Sequence, residues 1–259
     1  MPSKQAQPAH TKADQYNDPS HNYLEYWHGR DYEHQAEVRA IKRLLKGKHF
    51  KRAVDIGGGY GRLDPLLENY ADEVTLAEPS QQQLNIARTF LHDHPKIKRS
   101  LMQANDLEFP DSSVDLITMI RVMHHLPEPD NELAEIGRVL SPDGYAIIEM
   151  ANYMHAENRL KHYIRGQRFS KKPVDIRSEK NRNEAEIPFV NHNPHTFKKQ
   201  LVKAGFEIDR VLSVSNLRSG TIKKLVPHKL MMITENLLQP TLAGTFFGPS
   251  IFFLVRKAK

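Results

Sequence analysis

The stretch from Ala53 to Arg62, AVDIGGGYGR, runs from apolar residues into an aspartate and four closely spaced glycines. A glycine turn after a strand lets the backbone approach a ligand closely and take φ > 0. In parallel α/β sheets, ligands bind at the carboxyl ends of the strands. Gly57 and Gly59 match the dinucleotide fingerprint G-x-G-x-x-G, but its third position is Arg62, and the glycine comes one residue early at Gly61. A pyrophosphate calls for backbone N–H groups and a helix N-terminus. An acid at the strand end, Asp55, disfavours phosphate and favours a cation. The loop of Gly57, Gly58, Gly59 and Gly61 therefore suits a ligand with an ammonium group and no phosphate.

Two later features fit a ligand of that kind. Glu78, just before Pro79 and 23 residues beyond Asp55, closes a second strand, where a carboxylate accepts hydrogen bonds from both hydroxyls of a ribose. The polar run Gln103–Ala104–Asn105 follows a third strand and offers side chains and a backbone N–H to an adenine edge. S-adenosylmethionine combines an α-ammonium, a sulfonium, a ribose and an adenine. His124 and His125 are the candidates for a general base, because imidazole titrates near neutrality. A nicotinamide-dependent oxidoreductase is the competing reading, disfavoured by the glycine spacing; a non-catalytic S-adenosylmethionine-binding module is another.

Elements that could position these residues follow from the hydrophobic pattern. Ala36, Ala40, Ile41, Leu44 and Leu45 recur at helical spacing and predict a helix over about 31–46, stopped by Gly47. From 50 to 152, five apolar runs alternate with helical segments, including one over GRLDPLLENYA, one capped by Ser80, and one closed by a Pro142–Asp143–Gly144 turn. That alternation predicts a parallel sheet with helices on both faces, a Rossmann-like doubly wound α/β fold. Residues 1–30 read as a flexible N-terminal arm ahead of a domain over 31–259, although Tyr23, Tyr26, Trp27 and Tyr32 gather aromatics next to the first helix. Residues 153–190 break the alternation with an Arg- and Lys-rich insertion, expected over the sheet edge and lid-like. A helical insertion is expected over about 221–240, helping to cover a pocket, and PSIFFLVRKA reads as a last strand.

Composition narrows the function classes. The chain has 259 residues, 39% of them hydrophobic, and a formal net charge of +6. The modest positive charge is compatible with an anionic partner or with a plain basic surface. With no cysteine, disulfides, thiolate metal sites and a cysteine nucleophile are excluded, and with them pyrimidine-C5 methylation through a thiolate. No H-E-x-x-H or similar spacing occurs, so no metal is expected. No run approaches the roughly 20 apolar residues of a membrane span, and the polar start lacks a secretory h-region. A cytoplasmic location and no membrane insertion are the expectation.

The segments VDIGGGYGR, VTLAEPS, QANDLEFPDSSVDLITMIRVMHHLPEPDNELAEIGRVLSPDGYAIIEM and NPHTFKKQLVKAGF together resemble the class I S-adenosylmethionine-dependent methyltransferases, in particular the large type 11-like group. The resemblance covers about residues 50–152 and weakens toward the end. It implies a seven-stranded sheet whose last strand, PSIFFLVRK, runs antiparallel. By position it places Gly57, Gly59 and Gly61 under the methionine moiety, Asp55 near its ammonium, Glu78 on the ribose hydroxyls and Gln103–Asn105 at the adenine. Arg121 stands where the family makes backbone carbonyl contacts to the methionine end. Many members have Gly-Asp-Ala where this chain has Met102–Gln103–Ala104, so Asn105 or Asp106 is a possible substitute at the adenine. IRVMHHL stands where exocyclic-amine nucleobase enzymes carry Asn/Asp-Pro-Pro-aromatic, which turns the expectation toward a small-molecule methyl acceptor, with RNA or protein as the less favoured class and the oligomeric state open.

Overall fold

The computed structural model describes residues 16–18, 23–184 and 187–258. The arm at 1–15 and 19–22, like residues 185–186 of the insertion, lies outside the described residues.

The predicted alternation folds as α1 (Asp31–Leu44), β1 (Phe50–Ile56), α2 (Asp64–Leu67), β2 (Ala71–Glu78), α3 (Gln81–Phe90), β3 (Ile97–Leu101), β4 (Val114–Met119), α4 (Asp130–Val139) and β5 (Leu140–Ala151). The insertion follows as α5 (Ala156–Ile164), β6 (Val174–Asp175), α6 (Glu179–Glu184) and β7 (Val190–Asn191). The chain closes with α7 (Pro194–Lys203), β8 (Phe206–Val214), α8 (Gly220–Leu225), α9 (His228–Thr241) and β9 (Ser250–Lys257). Seven strands form one sheet in the order β3-β2-β1-β4-β5-β9-β8. β1 to β5 pair in parallel, and β9 runs antiparallel between β5 and β8.

Strand periodicity builds two cores. Successive side chains point to opposite faces, so Ala53, Leu116, Ile147 and Leu254 join α1 and α3 on one face. Their neighbours Val54, Ile117, Ile148 and Phe253 join α4 and α7 on the other. Both faces are covered, which is why the central strands read as nearly unbroken apolar runs. Ser80 caps α3 as expected, its hydroxyl accepting from Gln83 N at 3.1 Å, and Asn193 caps α7.

Four expectations need correction. The helix expected over GRLDPLLENYA is the single turn α2, because Asn69 Nδ2 donates to the Pro65 and Leu66 carbonyls at 3.1 Å and closes it. The Pro142–Asp143–Gly144 turn is a bulge inside β5: the register jumps from Val114↔Leu140 to Leu116↔Tyr145, while α4 passes directly into the strand. The insertion does not lie over a sheet edge, since the edges are β3 and β8. It leaves from the interior strand β5, its second half is closed by the β6–β7 pair, and His192 Nε2 bonds Met123 O at 2.9 Å, holding 187–192 across the carboxyl ends of β4 and β5.

The fourth concerns the helices near 221–240. α8 reaches the second cavity through Lys223, but α9 packs on α1 and β8 instead of over a cavity. Its buried Glu235 accepts from Tyr32 Oη at 2.7 Å and from Ser215 N at 2.8 Å, and Gln239 Nε2 donates to Ala36 O. Among the described residues, no helix is long and apolar enough to cross a membrane.

Candidate functional site

The glycine loop leaves β1 at Gly57, whose N–H donates to Ala77 O at 2.7 Å. Gly57 and Gly59 take φ of +65° and +63°, the left-handed region that disfavours a side chain. Gly58 answers to space instead: a Cβ there would press on the Asp55 carboxylate and come within 2.7 Å of Leu76 Cδ1. Such a backbone cradle fits close approach by a ligand.

A cavity opens over this loop at the carboxyl ends of β1, β2 and β4. Asp55, Gly57, Gly58, Gly59, Glu78 and Pro79 line one side. Gln103, Ala104 and Asn105 line the next, and Arg121 and His125 complete it. Gly61 and His124 are not on its wall; nor is Asp106, whose N–H donates to Gln103 O at 3.1 Å. Gly61 turns the chain into α2, where a Cβ would meet Leu91 and Asp64.

Glu78 is held by the loop it faces. Its Oε2 accepts from Gly59 N and its Oε1 from Ser80 N, both at 2.9 Å. The carboxylate is thereby aimed along the end of β2. Asp55 lies beneath the loop, where its Oδ1 accepts from Thr118 Oγ1 at 2.5 Å. Burial raises its pKa to about 6, against the hydrogen bonds from Thr118 and Asp64. Asp64 is buried beside it, and neither of its oxygens receives a hydrogen bond among the described residues. Burial and the Asp55 charge raise the Asp64 carboxyl well above the ordinary range, so a proton shared by the pair rests on Asp64.

Arg121 adopts φ +61° just past β4. Its N–H donates to Glu149 Oε2 at 2.9 Å, and its guanidinium bridges to Glu37 Oε1 at 2.6 Å. Arg62 reaches the other oxygen of Glu37 at 2.5 Å and lies 3.5 Å over the Trp27 ring. Burial would raise the Glu37 carboxyl, but Arg121 and Arg62 outweigh it and hold it below its ordinary value. Sequence reasoning missed this clamp. The available signal was Glu33 and Glu37 falling on the same helical stripe as Ala36, Ala40 and Ile41.

The aromatics ahead of α1 roof the cavity. Tyr16, Tyr23 and Trp27 line it, and Tyr23 stacks on Tyr26 with centroids 5.4 Å apart. The described residues of the expected arm thus pack on the domain: Ser80 Oγ lies 2.8 Å from Tyr16 O and from Asn17 Oδ1. His125 has both ring nitrogens engaged, Nε2 with Tyr16 Oη and Nδ1 with Pro188 O, each at 2.8 Å. A carbonyl only accepts, so Nδ1 carries the hydrogen and Nε2 accepts from the tyrosine.

A second cavity of about 550 Å³ shares Arg121 in its wall with the first. His124, Glu149, Asn152 and Ser250 line it at the ends of β4, β5 and β9, with Arg218 and Lys223 contributed from the stretch after β8. His124 packs against Phe189 at 4.3 Å between centroids and has no hydrogen-bond partner among the described residues. Burial first, then His125 and Arg121, hold its imidazole well below the ordinary value, so it stays neutral. Glu149 is buried with Oε1 accepting from Ser250 Oγ at 2.5 Å, and burial raises its pKa.

Comparison with known proteins gives this geometry a family. A family model described as a methyltransferase domain matches residues 26–211. An uncharacterized methyltransferase of Schizosaccharomyces pombe is 30% identical over 42% of this chain, a match that spans only 43% of that protein's own length. The ubiquinone/menaquinone biosynthesis C-methyltransferase UbiE of Shewanella sp. (strain ANA-3) is 28% identical over 66% of this chain and 71% of its own. Among solved structures, a possible histamine N-methyltransferase from Thermotoga maritima aligns with TM-score 0.62 at 22% identity, covering 91% of this chain and 94% of that one. The putative methyltransferase bound to the Trm112 activator of Haloferax volcanii aligns with TM-score 0.64 at 15% identity, covering 96% and 100%. The sheet order, the glycine cradle and the acid ending β2 fit S-adenosylmethionine as cofactor, and the chain belongs to the class I S-adenosylmethionine-dependent methyltransferase family.

Proposed function

We propose that this enzyme moves the methyl group of S-adenosylmethionine to a small-molecule acceptor seated in the second cavity. The observation that carries the reading is that the two cavities are neighbours sharing Arg121 in their walls. One cavity is framed by the glycine loop and Glu78. The other is polar, of a size typical for small-ligand sites, and is walled by the insertion, the segment before α1 and the β8–α8 connection. The Shewanella relatives also take their name from quinone biosynthesis, which is small-molecule chemistry.

When bound, the cofactor supplies a sulfonium methyl group whose departure leaves a neutral thioether. The work of the chain is then to orient the acceptor and exclude water. Gly57, Gly58 and Gly59 take the methionine end, with Asp55 beneath them at the ammonium and Gly61 shaping the turn. Glu78, flanked by Pro79, takes the ribose hydroxyls, and Gln103–Ala104–Asn105 take the adenine. Arg121, fixed through Glu37 and Glu149, borders both cavities and orients the two ligands toward each other. His124 faces the acceptor side as a neutral imidazole and can take a proton from a hydroxyl or amine nucleophile; His125 is committed to Tyr16 and Pro188 and serves as part of the roof.

The test is to supply labelled S-adenosylmethionine with separated low-molecular-mass, RNA and protein fractions of a cell extract, following S-adenosylhomocysteine release and label transfer. Turnover with the low-molecular-mass fraction supports the reading. Label appearing only in RNA or protein transfers the assignment to a macromolecular acceptor.

A further inference from the structure

The second cavity carries more positive charge than its carboxylates neutralise. Arg30, Arg121, Arg218 and Lys223 line it against Glu33 and Glu149. Both carboxylates are already engaged. Lys223 Nζ donates to Glu33 Oε2 at 2.7 Å, while Glu149 accepts from Arg121 N and Ser250 Oγ. The Arg121 guanidinium is in turn bound to Glu37.

Two guanidiniums remain. Arg30 lies 3.9 Å over the Tyr26 ring, a contact that leaves its N–H groups unspent. Neither Arg30 nor Arg218 has an ion pair or a side-chain hydrogen bond among the described residues. Arg218 is solvent-accessible on the cavity wall, yet protein surrounds it closely enough that burial, and then Arg121, lower its pKa; nearby Glu33 offsets part of that shift without pairing with it, and Arg30 adds to the repulsion. His155 beside it is driven to about 4 by burial and by Arg218, so it stays neutral and contributes no further cation at physiological pH. A cation kept close to other cations and partly desolvated is costly until an anion joins it. A guanidinium is also the side chain whose planar fork matches a carboxylate or a phosphate with two parallel hydrogen bonds.

We propose that the methyl acceptor is an anion, and that its carboxylate or phosphate group is held by Arg218 and Arg30 on the wall of the second cavity. This rests on the reading of the second cavity as the acceptor site. The anionic group anchors the molecule in the cavity, whose wall also includes Arg121 and His124. The selection is therefore made by charge first and by shape second.

The experiment uses the full chain saturated with S-adenosylhomocysteine and titrates three probes: benzoate, phenyl phosphate and neutral benzamide, followed by ligand-observed NMR. At least one anion should bind ten-fold or more tightly than benzamide, and which one does distinguishes a carboxylate from a phosphate acceptor. Arg218→Gln should weaken that anion ten-fold or more with S-adenosylhomocysteine affinity unchanged, and Arg30→Gln should act in the same direction. Equal binding of benzamide, no binding of either anion to the saturated protein, or anion binding indifferent to both substitutions would each overturn the proposal while leaving the methyltransferase reading intact. Failure of S-adenosylhomocysteine itself to bind would overturn both.

Discussion

Replacing Glu37 with glutamine should unfold more of this protein's stability than any other single polar change near the site. The carboxylate is almost fully buried, with 1% of its side chain exposed, and it holds two guanidiniums that are themselves only 11% and 18% exposed. Each contact is short, 2.5 Å to Arg62 and 2.6 Å to Arg121. At an effective dielectric of about 20, each pair is worth about 4 kcal/mol of gross attraction, offset by desolvation. Glu37→Gln keeps the volume but replaces one acceptor oxygen with a donor aimed at a guanidinium. It leaves two cations flanking the Trp27 ring, at 3.5 and 4.8 Å, with nothing between them. Removing one partner of a buried ion pair costs about 3–5 kcal/mol, and that is the loss expected in urea unfolding at neutral pH. Because the folded Glu37 pKa is depressed, its contribution is complete above its ordinary value and disappears as pH falls through the folded value. Wild type and variant should therefore converge in stability at strongly acidic pH. A loss below about 1 kcal/mol at neutral pH, in the range of surface pairs, or a gap that persists in acid, would refute the buried-clamp account.

Glu78→Ala should weaken S-adenosylhomocysteine binding by ~1–3 kcal/mol, the worth of charge-assisted hydrogen bonds; isothermal titration giving an unchanged affinity would remove Glu78 from the ribose site. Asp64→Asn should flatten the pH dependence of stability. In the wild type the Asp64 and Asp55 carboxyls are raised, Asp55 to about 6, so stability is greatest below their ordinary values and falls as pH rises through the folded ones. The amide donates to Asp55 without a titratable proton, so melting temperatures from acidic to alkaline pH should decline less in the variant, and parallel curves would contradict the shared-proton arrangement.

The sheet was readable because its two periods are clean: apolar strand runs alternate with helices whose apolar positions recur every three or four. The glycine loop was readable because Gly57 and Gly59 need backbone angles that few other residues accept, and because Asp55 and Glu78 sit at the ends of their strands. What escaped was what depends on distance across the fold. Nothing local announces that Glu37 on α1 meets Arg62 after the loop and Arg121 after β4, three segments joined only when β1 and β4 pair. The insertion was misplaced for the same reason: its composition marks it as irregular, but only the His192–Met123 bond and the β6–β7 pairing decide which strand ends it covers. The bulge at Pro142–Gly144 looked like a turn because Pro-Asp-Gly favours turns; strand pairing on both sides of it kept the chain in the sheet.

The most direct single measurement is a calorimetric titration of the full chain with S-adenosylmethionine, S-adenosylhomocysteine and NADH side by side. The account predicts one-to-one binding of both sulfur ligands and none of NADH, since the loop above Asp55 has a cation's environment and lacks the third fingerprint glycine. Binding of NADH with no response to either sulfur ligand would contradict it.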